Sequence, residues 1–204
     1  MGGFARVLTA AVIFAAGFAQ ASGRAAVILD SLSVRIYDNA GVLSGNRARA
    51  FKRAGDILAR ADLVIDWRDC PAGGVLARGG CAAAPGPGEL AVRLVRSPKD
   101  DPNPRALGNA LIDTATGSGT LATVFVDRVT ALSQQGRLDT WSTVGGVMAH
   151  EIGHLLLGSN SHTDSGLMRE IWSLKDLTRN RPDDWLFSAA QQEVDHARPF
   201  KGTA

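Results

Sequence analysis

The sequence predicts one domain of the α+β class, with a mixed, twisted sheet, a long N-terminal helix, a second long helix and a C-terminal helix. Two observations carry this prediction. A strand pattern, an amphipathic helix and another strand pattern follow one another over residues 26–67, which favours a parallel β-α-β unit. Further strand patterns come next, and an apolar helical stretch follows only after them.

The N-terminal half contains the β-α-β unit. Apolar residues cluster and then alternate over 26–36, which predicts the first strand. The segment 47–61 repeats its apolar residues with the period of an amphipathic helix. Alternation over 63–67 predicts the second strand, and alternation over 90–94 predicts a third beyond a loop rich in Gly, Pro and Ala.

The next segments predict two more strands and the second long helix. The segment 107–112 is predicted as a short strand, and Leu121–Val129 as a strong one because it is rich in apolar and β-branched residues. Asp139 or Thr140 can cap the helix that follows, which is expected to run to Leu157.

Glycines and a capping pattern mark the helix interior and ends. Gly158 suits the left-handed residue that ends the second long helix. Gly145 and Gly146 count against the first half of that helix, since each costs about 1 kcal/mol relative to alanine. A capping box from Ser188 to Gln191 predicts the C-terminal helix over 188–197.

Residues 1–21 have the pattern of an export signal, so one mature domain is expected over 22–204. Arg6 supplies positive charge, the stretch 7–18 is apolar but short for a membrane span, and Ala19-Gln20-Ala21 suits a cleavage site. The alternative is an uncleaved membrane anchor. We therefore expect a secreted or periplasmic protein without stable membrane insertion after cleavage.

The charge balance argues against a nucleic-acid partner. The chain has 22 Lys and Arg against 20 Asp and Glu, and loss of Arg6 with the signal leaves 21 against 20. No basic stripe accompanies this near-neutral balance, as a nucleic-acid interface would require.

The two cysteines, Cys70 and Cys81, bracket a loop rich in Gly and Ala. In an exported protein this arrangement predicts a disulfide that closes the loop. A zinc-binding pair and a free reactive thiol are the alternatives.

The segment His150-Glu151-Ile152-Gly153-His154 carries the clearest chemical signal. Helical positions i and i+4 lie on one face, so two imidazoles at this spacing can grip one Zn²⁺. Glu151 would stand beside the metal and take a proton from a zinc-bound water, whose pKa zinc lowers to about 7. The alternative is two ordinary histidines satisfied by backbone carbonyls.

A catalytic zinc site usually has three protein ligands and an open position. His162 is the preferred third ligand, because Gly158 allows a sharp turn after the helix. Asp164 is the rival, and Asn160 is a poor ligand because its amide oxygen is neutral. His196 is expected to be a surface residue.

The segment 150–168 resembles the active site of the metzincin clan of zinc metallopeptidases, nearest the matrixin-like branch. That pattern is HExxHxxGxxH followed by a Met-turn. The resemblance implies a zincin-like fold, zinc on His150, His154 and His162, Glu151 as the general base, and Met168 as the Met-turn residue.

Two departures from the pattern are notable. Gly158 and His162 lie four and eight residues after His154, where the family has three and six. The distance from His154 to Met168 is still the matrixin one, so the histidine is displaced along a loop of unchanged length. No tyrosine follows Met168, which excludes an astacin-type tyrosine.

The resemblance also implies a substrate path, in which Leu121–Val129 would be the cleft strand that pairs with an extended peptide. An ordinary interior strand is the alternative. The expected function is hydrolysis of peptide bonds in peptide or protein substrates by a secreted zinc endopeptidase. A catalytically silent zinc-binding or structural protein on the same scaffold is the second hypothesis.

Overall fold

The computed structural model of the chain describes residues 31–71, 81–86 and 88–191. The predicted export signal, the first part of the first predicted strand, His196 and most of the predicted C-terminal helix lie outside these residues. The start of that helix is described: the Ser188 N–H donates to the Gln191 side chain, and the Gln191 N–H donates to Ser188 Oγ, as a capping box requires.

The described residues form five strands and four α-helices. In chain order these are β1 (Ser31–Asp38), α1 (Ser44–Leu58), β2 (Val64–Cys70), β3 (Glu89–Val95), β4 (Gly108–Asp113), β5 (Ser118–Phe125), α2 (Val126–Gly136), α3 (Thr140–Leu157) and α4 (Leu174–Arg179). Short 3₁₀ helices cover Ala59–Ala61 and Pro182–Trp185. None of the described helices is long and apolar enough to cross a membrane.

The strands form one sheet in the order β2-β1-β3-β5-β4. The strands β2, β1, β3 and β5 run parallel to one another. The strand β4 runs antiparallel to β5 and lies at the edge of the sheet. The crossover through α1 joins β1 to β2, as a parallel pair requires. The predicted α+β class with a mixed sheet is therefore confirmed.

The core lies between one face of the sheet and the helices α1 and α3. Val34, Val92 and Val124 are fully buried on this face, and their neighbours along the strands, among them Arg35, Arg93 and Thr123, point to the opposite face. Burial of aliphatic side chains on this face, at about 25 cal/mol per Å² of apolar surface, is the main stabilising contribution.

The glycine pair that counted against the second long helix has a packing role in α3. A Cβ at Gly145 would lie 2.5 Å from the carbonyl oxygen of Ala50 in α1. A Cβ at Gly146 would lie 2.5 Å from the ring of Trp185. The two glycines lower the helix propensity of α3, but they allow it to pack closely against α1 and the 3₁₀ helix, and this packing offsets the loss.

The predicted strand Leu121–Val129 is wrong at its C-terminal end, and the cleft position that the resemblance implied for it is wrong, whereas the alternative of an ordinary interior strand is confirmed. The strand stops at Phe125, and Val126 begins α2. Val126, Val129 and Ser133 are buried at helical spacing, a period hidden by the continuous apolar run that precedes it. Moreover, β5 lies between β3 and β4, so it is an interior strand, and β4 is the edge strand that contacts α3.

The predicted disulfide between Cys70 and Cys81 is confirmed, with Cα atoms 5.7 Å apart. It ties the end of β2 to a segment that covers the polar face of the sheet. There the buried Arg35 donates to the carbonyl oxygen of Ala83 and forms an ion pair with Glu89. The covalent link and the hydrogen bond from Arg35 to Ala83 hold the same segment in place, and the ion pair with Glu89 fixes the Arg35 side chain to β3.

Candidate metal centre

Helix α3 places His150 and His154 one turn apart on the same face. Their Nε2 atoms lie 3.1 Å apart. His154 is buried and His150 is partly buried, although both lie in a helix whose other residues are mostly apolar. The predicted i, i+4 spacing therefore brings both imidazole rings to one point at the helix surface.

The two rings have the tautomer that a metal ligand needs. Nδ1 of His150 lies 2.7 Å from the carbonyl oxygen of Leu167, and Nδ1 of His154 lies 2.8 Å from that of Ser159. A carbonyl oxygen only accepts, so each Nδ1 carries the hydrogen and each Nε2 presents a lone pair.

Two facing lone pairs cannot form a hydrogen bond with each other, whereas a cation between them would satisfy both. Burial lowers the pKa of His150 to about 4 and also lowers the pKa of His154. Both rings are therefore neutral at pH 7 and free to coordinate. The residues present fit a metal ion such as zinc, which prefers imidazole nitrogen.

The third member of the group is His162, which lies in the loop after α3. Its ring centroid is 4.8 Å from that of His154 and 5.4 Å from that of His150. One nitrogen from each of the three rings lies within 4.8 Å of the others. Asp164, the rival ligand, does not belong to this group.

The loop after α3 follows the predicted turn. Gly158 has φ of 58° and ends the helix in the left-handed conformation. The N–H of Ser159 then donates to the carbonyl oxygen of His154, and the carbonyl oxygen of Ser159 turns back to the same imidazole. These two bonds between Ser159 and His154 turn the chain around the His154 ring. The rest of the loop then brings His162 to the other two rings.

Glu151 lies beside the group and packs against the edge strand. It is only 5% exposed, and burial raises its pKa to about 8. A Cβ at Gly108 would lie 2.7 Å from Glu151 Oε1 and 2.6 Å from the carbonyl oxygen of Thr123. The absence of a side chain at Gly108 therefore lets the carboxyl group reach the edge of the sheet.

Sequence reasoning did not identify Gly108 as a site residue. The available signal was a glycine inside the predicted strand 107–112, since such a glycine often marks a place where another group approaches the backbone closely. Which group approaches could not be known, because β4 and α3 are far apart along the chain.

Met168 is fully buried below the histidine helix. A Cβ at Gly153 would lie 2.5 Å from Met168 Sδ and 3.1 Å from the ring of Phe187. The glycine between the two helical histidines therefore allows the segment after His162 to pack directly against α3. Leu167, which binds His150 through its carbonyl oxygen, belongs to this segment.

No protein-family model and no curated protein matches the sequence. Solved structures do match its fold. A zinc-dependent peptidase from Methanocorpusculum labreanum is 13% identical with a TM-score of 0.54, over 79% of this chain and 98% of that chain. Archaemetzincin from Methanopyrus kandleri is 15% identical with a TM-score of 0.50, over 82% and 94%.

Metalloproteinase-II from Bacteroides fragilis is 14% identical with a TM-score of 0.51, over 83% of this chain and 53% of that chain. Identities this low show the fold alone, and they do not single out the matrixin-like branch. The chain therefore has the α+β, zincin-like fold that these metallopeptidases share.

Proposed function

We propose that the chain is a zinc-dependent endopeptidase of the metzincin type. The observation that carries this proposal is the convergence of three imidazoles beside a buried carboxyl group. His150 and His154 present metal-binding lone pairs to one point, and His162 completes the group. The fold shared with three metallopeptidases supports the same function.

In this proposal His150, His154 and His162 hold the zinc ion, with Met168 packed beneath them. When bound, zinc polarises the substrate carbonyl and lowers the pKa of a coordinated water to about 7. The carbonyl oxygens of Leu167 and Ser159 fix the orientation of the two helical imidazoles.

Glu151 is proposed as the general base and acid. It accepts a proton from the attacking water and returns it to the leaving amine. Burial favours its protonated form, with a pKa of about 8, whereas a neighbouring cation favours the carboxylate. Glu151 follows His150 directly in α3, so a zinc ion held by the histidines would be such a cation and would favour the ionised base.

The proposed substrate is an extended peptide that adds to the outer edge of β4, which pairs with no second strand among the described residues. The N–H of Phe125 donates to the carbonyl oxygen of Leu107 at 2.9 Å. Since the backbone groups of an antiparallel strand alternate in direction, those of Gly108 and Ala110 face away from β5. They can pair with a peptide next to Glu151, which packs against Gly108.

We also propose that the protein is exported and acts as a single catalytic domain over 22–204. The disulfide between Cys70 and Cys81 supports an oxidising compartment. The second hypothesis, a zinc-binding protein that does not cleave, leaves Glu151 without a role, since a base is not needed to bind metal.

The test measures zinc content and cleavage of an unbiased peptide library by the parent and Glu151→Gln. We expect the variant to keep its zinc and to lose about 10²- to 10⁴-fold in kcat/KM, because an amide cannot accept the proton. His162→Ala should lose zinc and activity together, while its control Asp164→Ala should keep both. Zinc binding by the parent without any cleavage would favour the second hypothesis.

A further inference from the structure

The three proposed ligands are held in two different ways. His150 and His154 lie in a regular helix and each binds a backbone carbonyl through Nδ1. His162 is exposed and lies in a loop. The hydrogen bonds of its neighbours Ser161 and Thr163 to Ser159 and Ser165 stay within that loop. Such local bonds shape the loop but do not fix it to the domain.

The loop begins at Ser159, which bonds to His154, and next to His162 a second backbone connection joins it to the segment that carries Met168. The N–H of Thr163, next to His162, donates to the carbonyl oxygen of Met168 at 2.9 Å, and Thr163 pairs with Arg169 as an isolated parallel bridge. The backbone position of His162 therefore depends on the position of the segment that carries Met168 and Arg169.

The side chain of Arg169 fixes that segment to two further elements. Its Nη1 lies 3.1 Å from Asp176 Oδ2 in α4, and its Nη2 lies 3.3 Å from Asp184 Oδ1 in the 3₁₀ helix. The guanidinium also lies 4.9 Å from the ring centroid of Trp172. All three charged side chains are at most 20% exposed, so solvent screens these pairs less than surface pairs.

We infer that Arg169 is a positioning residue for the third metal ligand, acting on His162 through the bridge to Thr163. The inference rests on the proposed zinc site. The planar guanidinium engages two carboxylates and an aromatic face at once, which a lysine cannot do. Without it, α4 and the 3₁₀ helix no longer fix the segment to which His162 is tied.

The test compares zinc affinity in two backgrounds. Zn²⁺ is titrated into the metal-free, full-length parent, Arg169→Met, His162→Ala and the double variant, against a competing chromophoric chelator. Loss of an outer residue that orients a ligand typically lowers metal affinity about 10- to 100-fold. We expect Arg169→Met to show such a loss in the parent background and no further loss in the His162→Ala background.

A spectroscopic readout separates loss of a ligand from general loosening. With Co²⁺ in place of zinc, the visible absorption of Arg169→Met should match that of His162→Ala rather than that of the parent. The matched control is Arg179→Met. Arg179 also binds Asp176, at 2.6 Å, but it belongs to α4 itself and is 39% exposed, so its loss should leave affinity and spectrum unchanged.

Several results would overturn the inference. Parent-like affinity in Arg169→Met would do so, as would an equal loss in both backgrounds, which would place the effect on His150 through Leu167. If circular dichroism shows that Arg169→Met does not fold, the milder Asp184→Asn decides by the same cycle. If His150→Ala and His162→Ala bind zinc as the parent does, the proposed function itself fails, and that result is distinct.

Discussion

The sheet region and the C-terminal segment reach equally buried interiors by different means. In β1 and β3, residues such as Ile36 and Leu94 are fully buried in regular alternation. In the segment after Gly158, Leu167 and Met168 are just as buried, but side chains from short elements hold them there. Trp172 stacks on Trp185 with ring centroids 4.4 Å apart, and Asn180 accepts a hydrogen bond from that indole.

The sheet region and the C-terminal segment therefore contribute different properties: the first contributes mainly to the stability of the fold, and the second to the geometry of the proposed metal ligands. The sheet region fixes α3, and with it two of the three histidines. The C-terminal segment supplies His162 and the carbonyl oxygen of Leu167 that orients His150. Changes in the sheet region should therefore act on the free energy of unfolding, whereas changes after Gly158 should act first on metal affinity.

The largest expected effect on stability comes from the sheet region. Ile36→Ala removes a fully buried side chain from β1 and should lower the free energy of unfolding by about 2–5 kcal/mol. Urea titration of the zinc-free protein measures this loss. Zinc affinity of the folded variant should stay within about twofold of the parent, since no ligand-bearing segment moves. A tenfold loss of affinity would contradict the separation.

A second test removes the disulfide with Cys70→Ala and Cys81→Ala together. The bridge closes a loop with a sequence separation of 11 residues, and its loss should lower the free energy of unfolding by about 3 kcal/mol in the chain-entropy model. Thermal unfolding of the parent under reducing conditions is the matched control and should give the same loss. An unchanged midpoint in both would show that the link adds no stability to the sheet region.

The smallest expected effect on stability comes from the contact between α3 and Trp185, where the sheet region meets the C-terminal segment. Gly146→Ala would bring a methyl group against Trp185 and should lower the free energy of unfolding by about 1–3 kcal/mol. It should also weaken zinc binding, because Trp185 belongs to the C-terminal segment.

The control for this variant is Gly45→Ala, at a helical position in α1 with no heavy atom within 4 Å of the added carbon. It should stabilise the protein by up to about 1 kcal/mol through helix propensity. If Gly146→Ala behaved like Gly45→Ala, the contact between α3 and Trp185 would have no energetic importance.

The same comparison explains what the sequence could predict. Regular periodicity marks β1, α1 and α3, and the i, i+4 spacing of His150 and His154 marks them, with Glu151 between them, as candidate site residues from the sequence alone. The boundary between β5 and α2 is not visible in the sequence, because the apolar run across Phe125 has neither the period of a strand nor that of a helix. The helix α4 is only six residues long, too short to show a period.

The supports of the site were not predictable for another reason. Gly108 faces Glu151 across 43 residues, a separation that no local pattern records. Arg169, Asp176 and Asp184 are ordinary surface residue types, and only their meeting below the loop makes them partners. His162 could be predicted as the third ligand from the sequence, because few residue types bind zinc well.

The open edge of β4 has a consequence for the behaviour of the protein in concentrated solution. In the described part of the chain β4 pairs with β5 alone, so one side of its backbone is available to any extended chain, including another copy of this protein. Leu111 adds an apolar side chain that is 69% exposed. The strand is short and ends at the exposed Asp113. Both properties discourage edge-to-edge aggregation but still allow a short extended peptide to pair transiently with β4.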